Sequence, residues 1–100
     1  MNDRSPALDL LDRQIQELDK IYRQAAQDLN TVRGHERLKA WKNSTVTLLT
    51  THLGEAEARK LAALTPGPSF TNDLLEELSD AIEPYRNFLV ALAAKLKKAP

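Results

Sequence analysis

The chain has 100 residues, 42% of them apolar, with fourteen basic side chains balanced by fourteen acidic ones and no cysteine. That is enough chain for one domain with a modest core, and the missing cysteines remove disulfide scaffolds, thiol nucleophiles and thiolate metal sites. A net charge of zero lacks the basic excess of a typical nucleic-acid binder. No apolar run approaches the ~18 residues of a membrane span, and Met1 to Pro6 lacks the core of a signal peptide, so the expected compartment is the cytoplasm.

The first predicted helix covers about residues 6–33. Ser5 is a good cap, Pro6 suits the first helical position, and Asp9 and Asp12 favour the positive end of the dipole. Leu8, Leu11, Ile15, Leu18, Tyr22, Ala25, Leu29 and Val32 follow at alternating spacings of three and four, a coiled-coil-like seam. Leu10 and Ile21 flank the seam and broaden it to the width of a bundle helix. Gly34 is the expected stop.

The second helix is expected over about 35–53, with Leu38, Trp41, Thr45, Leu48 and His52 in its seam and Gly54 as its terminator. Its threonines disfavour helix, but the apolar spacing is 3.6-like rather than alternating. A short Ala-rich helix over 55–64 ends at Thr65-Pro66-Gly67-Pro68-Ser69, which cannot continue a helix.

The last helix is expected over about 71–98, capped by Thr71 or Asn72. Leu75, Leu78, Ile82, Tyr85, Leu89, Leu92 and Leu96 form its seam, widened by Leu74, Phe88 and Val90. Acidic residues crowd its start and lysines its end, matching the dipole. Pro84 removes one backbone donor, yet the seam keeps phase across it, so a kink rather than a break is expected. These elements imply an all-α, mostly antiparallel bundle of about four helices, two of them long, in a single domain over 1–100.

Chemistry is not apparent. A di-iron bundle needs Glu-x-x-His pairs, but Val32 and Leu49 stand three residues before His35 and His52. His52 and Glu55 share that spacing only across Gly54. Glycines at 34, 54 and 67 cannot form a phosphate loop, and there is no Gly-x-Ser-x-Gly turn. The Arg-then-His spacing of small helical toxin ribonucleases is also missing. No catalytic, metal or cofactor residue is therefore assigned, and the expectation is a protein without enzymatic activity.

Two features point to partners. The first is the width of the two long seams, with Leu10, Ile21, Tyr22, Trp41, Tyr85, Phe88 and Val90 as candidate anchors of core or contact. Either the second and third helices cover these seams, or the surplus is an interface with a copy or a protein partner. The second is the basic segment Arg33, Arg37, Lys39 and Lys42 around Trp41. Basic-plus-aromatic clusters can grip nucleic acid, so a nucleic-acid-associated regulator is the alternative. Trp41 falls on the apolar seam, which favours a core role for it.

Glu36-Arg37-Leu38-Lys39-Ala40-Trp41-Lys42, then Leu48-Leu49, then Leu53-Gly54-Glu55 and Tyr85 to Leu92, resembles a helical segment that precedes TIR-like predicted nucleotide-binding domains in bacterial defence proteins. The resemblance covers about residues 8–97, with Trp41, Gly54 and the order of elements as its specific points. It implies an accessory helical module that assembles or links a separate effector, and it carries no functional residues over.

Overall fold

The computed structural model describes residues 5–98. Met1 to Arg4, part of the segment without a signal-peptide core, lie outside the described residues. Four helices follow one another: α1 (Pro6–Asp28), α2 (Thr31–His52), α3 (Glu55–Ala63) and α4 (Leu74–Lys98), with no strand among the described residues. The molecule is elongated, 45 × 30 × 20 Å.

Ser5 caps α1 as expected, its hydroxyl accepting from the Leu8 N–H at 3.2 Å, with Pro6 in the first turn. The end of α1 differs from expectation. The helix stops at Asp28, and Leu29 takes the left-handed conformation (φ 54°, ψ 40°). Asn30 then caps α2, its side-chain oxygen accepting from the Arg33 N–H at 3.0 Å. The signal for this boundary is the Asn30 cap rather than the glycine four residues on.

Gly34, expected as a stop, is instead a buried helical residue inside α2. A Cβ there would stand 2.7 Å from Leu78 Cδ2 and 3.1 Å from Ala25 Cβ. The missing side chain lets α2 approach α1 and α4 together. Because α1 has already ended, Leu29 and Val32 leave its seam and are 85% and 72% exposed.

The threonines of α2 are accommodated locally. Thr47, Thr50 and Thr51 donate their hydroxyls to the carbonyls four residues back, which satisfies them without leaving the helix. Thr45 is fully buried and donates to Gln14 Oε1 at 3.1 Å. The buried stripe of α2 runs Leu38, Trp41, Thr45, Leu49. It therefore passes through Leu49 and not Leu48, and His52, expected at the end of the seam, is exposed.

Three contacts set the topology. Ala25 and Leu78 meet at Gly34, Trp41 Nε1 donates to the Gln14 carbonyl at 3.1 Å, and Arg86 Nε donates to Asp19 at 3.3 Å. Thus α2 and α4 both run antiparallel to α1. α3 turns back along α2, burying Ala58 and Leu61. Lys42 Nζ donates to the Leu64 carbonyl at 2.6 Å where α3 ends.

The chain then returns along α4 as an extended loop. Asp73 caps α4, accepting from the Leu75 and Glu76 N–H groups at 2.9 and 3.2 Å. The cap thus lies a residue or two past Thr71 and Asn72, and the helix begins at Leu74 rather than 71. Pro84 sits inside a continuous α4. It leaves the Asp80 carbonyl without its helical donor, and the loop packs against this point. Gly67 donates its N–H to the Ala81 carbonyl at 3.5 Å, and Ser69 donates to the Asp80 carboxylate at 2.9 Å. A Cβ on Gly67 would collide with the Asp80 carbonyl oxygen, so the loop can dock here only with glycine.

The core is one cluster centred on Leu11, Leu18, Leu49, Leu61, Leu78 and Leu89, with Trp41 and Tyr85 as its aromatic pair. Two substitutions test this packing by chemical denaturation. Gly34→Val should lower the unfolding free energy by about 2–3 kcal/mol through overpacking. Leu29→Gly should raise it by about 0.5–1 kcal/mol, because the left-handed conformation penalises leucine and not glycine.

Candidate interaction surfaces

The seven apolar candidates do not form one surface. Ile21, Trp41 and Tyr85 are buried in the core. The helical rotation of α1 explains Ile21. Gln14 and Ile21 face α2, where Trp41 packs, while Tyr22 turns toward α4. Leu10 and Phe88 are half-buried against the core. Leu10 lies beside Leu48 on the α2 side, and Phe88 shares a flank of α4 with Ala81 and Pro84, where the loop docks. Only Tyr22 (36% exposed) and Val90 (44%) remain open.

Tyr22 belongs to a groove of about 580 Å³ between α1 and α4. Its floor is Leu18 and Ile82, and its walls carry Asp19 and Arg23 from α1 and Glu83 and Arg86 from α4. All four charged residues are exposed. Asp19 and Arg86 face each other across the groove as an ion pair at 3.3 Å. Arg23 lies one turn further along α1. Glu83 lies three residues back along the antiparallel α4, so Arg23 and Glu83 occupy the next level. Val90, one turn beyond Arg86, extends the same face. α3 packs on α2, away from this face, and the loop covers the Pro84 flank.

The second groove, about 540 Å³ between α1 and α2, is walled by polar groups such as Gln14, Gln24 and Ser44 and has no large exposed apolar residue. A third apolar feature lies at the α1–α2 corner. Leu29 and Val32 share that end of the bundle with Leu74 (61% exposed), one turn before the Leu78–Gly34 contact.

The basic segment is divided by the buried stripe of α2. Arg33 and Arg37 lie toward α1, where Arg37 approaches Asp28 at 3.9 Å. Lys39 and Lys42 lie toward the loop and α4, around a hollow of about 330 Å³ with Tyr85 at its base. Lys42 is held by the Leu64 carbonyl and lies 5.4 Å from the Tyr85 ring centre. Of the four, Arg33 and Lys39 are exposed, and they point to different sides of α2. The acidic start of α4 meets this stretch of α2 through one pair. His35 approaches Glu77 at 3.5 Å, while Asp73, Glu76 and Asp80 bond to the helix start and the loop.

Among the described residues no group of three or more His, Asp or Glu side chains is placed to hold a metal ion, and no helix is long and apolar enough to cross a membrane. The charged groove is a feature that the seams alone do not reveal. Its signal in the sequence is Asp19 and Arg23 at one turn's spacing and Glu83 and Arg86 at three, each beside a seam.

No family model, no curated protein and no solved structure matches the chain.

Burial raises the Tyr85 phenol above its ordinary pKa, since the charged phenolate is disfavoured in the core. The unfolded chain therefore releases this proton at lower pH than the folded one. The stability it contributes is complete below the unfolded value of about 10 and is lost as pH rises through the folded value. Tyr85→Phe should remove this alkaline loss, leaving a flatter stability profile above pH ~10 in denaturation monitored by Trp41 fluorescence.

Proposed function

We propose that the chain is a non-enzymatic helical module for protein–protein interaction or oligomerisation. The observation that carries this is the α1/α4 face, where Tyr22 and Val90 are exposed at a groove that no other described element covers. Two antiparallel helices with an apolar floor and charged walls make a surface on which further helices pack. The division of Arg33 and Arg37 from Lys39 and Lys42 favours a protein partner over nucleic acid, whose phosphates call for a continuous basic track. The resemblance to helical segments of bacterial defence proteins supports an accessory role in a defence or regulatory system of that kind.

Photo-crosslinking in the cells that produce the chain tests the reading. A photoreactive residue replacing Tyr22 or Val90 should yield a discrete crosslinked protein product, and one replacing Lys60 on α3 should not. Equal labelling from all three positions, or from none, contradicts the proposal. If nucleic acid were the partner, the crosslinks would instead come from Arg33 or Lys39, and nucleic-acid binding by the purified chain would weaken steeply with salt.

A further inference from the structure

The charges around the α1/α4 groove have an order that specifies an occupant. On α1, Asp19 is followed one turn later by Arg23. On α4, running the other way, Arg86 stands beside Asp19, and Glu83 falls at the level of Arg23. The face is thus a two-by-two checkerboard, with negative and positive at one level and positive and negative at the next.

Such a pattern complements itself. Turning a second copy about an axis parallel to the helices puts its α4 over α1 at the same level, so Asp19 meets Arg86 and Arg23 meets Glu83. Turning it about an axis across the helices puts α1 over α1 with the levels exchanged, so Asp19 meets Arg23 and Glu83 meets Arg86. In either two-fold arrangement each of the four charges opposes one of opposite sign, as an isologous interface requires.

The apolar groups fit the same arrangement. Tyr22 and Val90 flank the charged square, and Leu18 and Ile82 form the floor between them. α1 has 23 residues and α4 has 25, so the face is roughly 35 Å long and two helices wide, giving about 700 Å² per copy. That is close to the ~800 Å² per partner of a standard stable interface.

We infer that the α1/α4 face is the interface of a symmetric homodimer, in which the checkerboard of Asp19, Arg23, Glu83 and Arg86 sets the register. This rests on the interaction-module reading and names the partner as a second copy of the chain. The four charged residues are exposed, so reversing them leaves the core of each copy intact.

The test uses the full chain and two double variants in sedimentation equilibrium. D19R/E83R makes the square wholly positive, and R23E/R86E makes it wholly negative. The natural chain should dimerise. Each double variant alone should be largely monomeric where the natural chain is half dimeric, its dissociation constant raised about tenfold or more by like charges. An equimolar mixture of the two should form a heterodimer. Val90→Asp should also weaken the dimer, and unchanged circular dichroism confirms that each variant folds.

A natural chain that stays monomeric to its solubility limit overturns the inference. So does a dimer indifferent to both charge variants, or a mixture of folded variants that fails to associate. A monomeric chain that still crosslinks from Tyr22 or Val90 to a different protein overturns the second copy alone and leaves the interaction module standing. A monomeric chain with no such crosslink removes both.

Discussion

The close approach of three helices at Gly34 constrains the rest of the bundle. α2 can touch both Ala25 of α1 and Leu78 of α4 there because nothing projects from its own backbone. Further along α2 the same side must accommodate Trp41, which it does by donating to the Gln14 carbonyl and packing 5.8 Å from the Tyr85 ring. α2 therefore meets both long helices, which also pack against each other along their length. α3 takes its other flank, and among the described residues no element packs on the side of α1 and α4 that faces away from α2.

This division of labour reflects where the large residues lie. The aromatic pair and the fully buried Thr45 sit at the meeting of α2 with its neighbours. The groove face, by contrast, has only leucine and isoleucine at its floor and charged groups on its walls. Tyr22 lines that groove from α1 without filling it and stays partly open to solvent. The loop after α3 resolves a different problem. Pro84 frees the Asp80 carbonyl inside α4, and Gly67 and Ser69 pack and bond at that turn, joining the proline inside the helix to the loop between α3 and α4.

Much of the fold is legible in the chain. The three-four spacing of α4 is the spacing of its buried face, and Ser5, Gly54 and the Pro-Gly-Pro loop mark boundaries as expected. The first corner is not legible in the same way. A glycine at the end of a seam has the pattern of punctuation, whereas Gly34 serves close packing, and only the position of Leu78 in space distinguishes the two. The seam also looks continuous through Val32, because leucine and valine at the corner keep its spacing after the helix has ended. The contact surface is harder to see. Apolar width suggests Ile21, Trp41 and Tyr85, yet width cannot tell which flank meets a neighbouring helix. The charge pattern joins residues on two helices far apart in the chain, Asp19 and Arg86 being 67 positions apart, and its order exists only once their antiparallel level is fixed.

On the reading proposed above, the α1/α4 face, which no other described element covers, is where this molecule makes contact. Amide chemical shifts recorded as the natural chain is concentrated from the low micromolar to the millimolar range test it most directly. Contact through this face predicts concentration-dependent shifts grouped at Tyr22, Arg23, Ser79, Arg86 and Val90, with α3 unchanged. Shifts centred on α3 or on the basic residues of α2, with the groove silent, would contradict it.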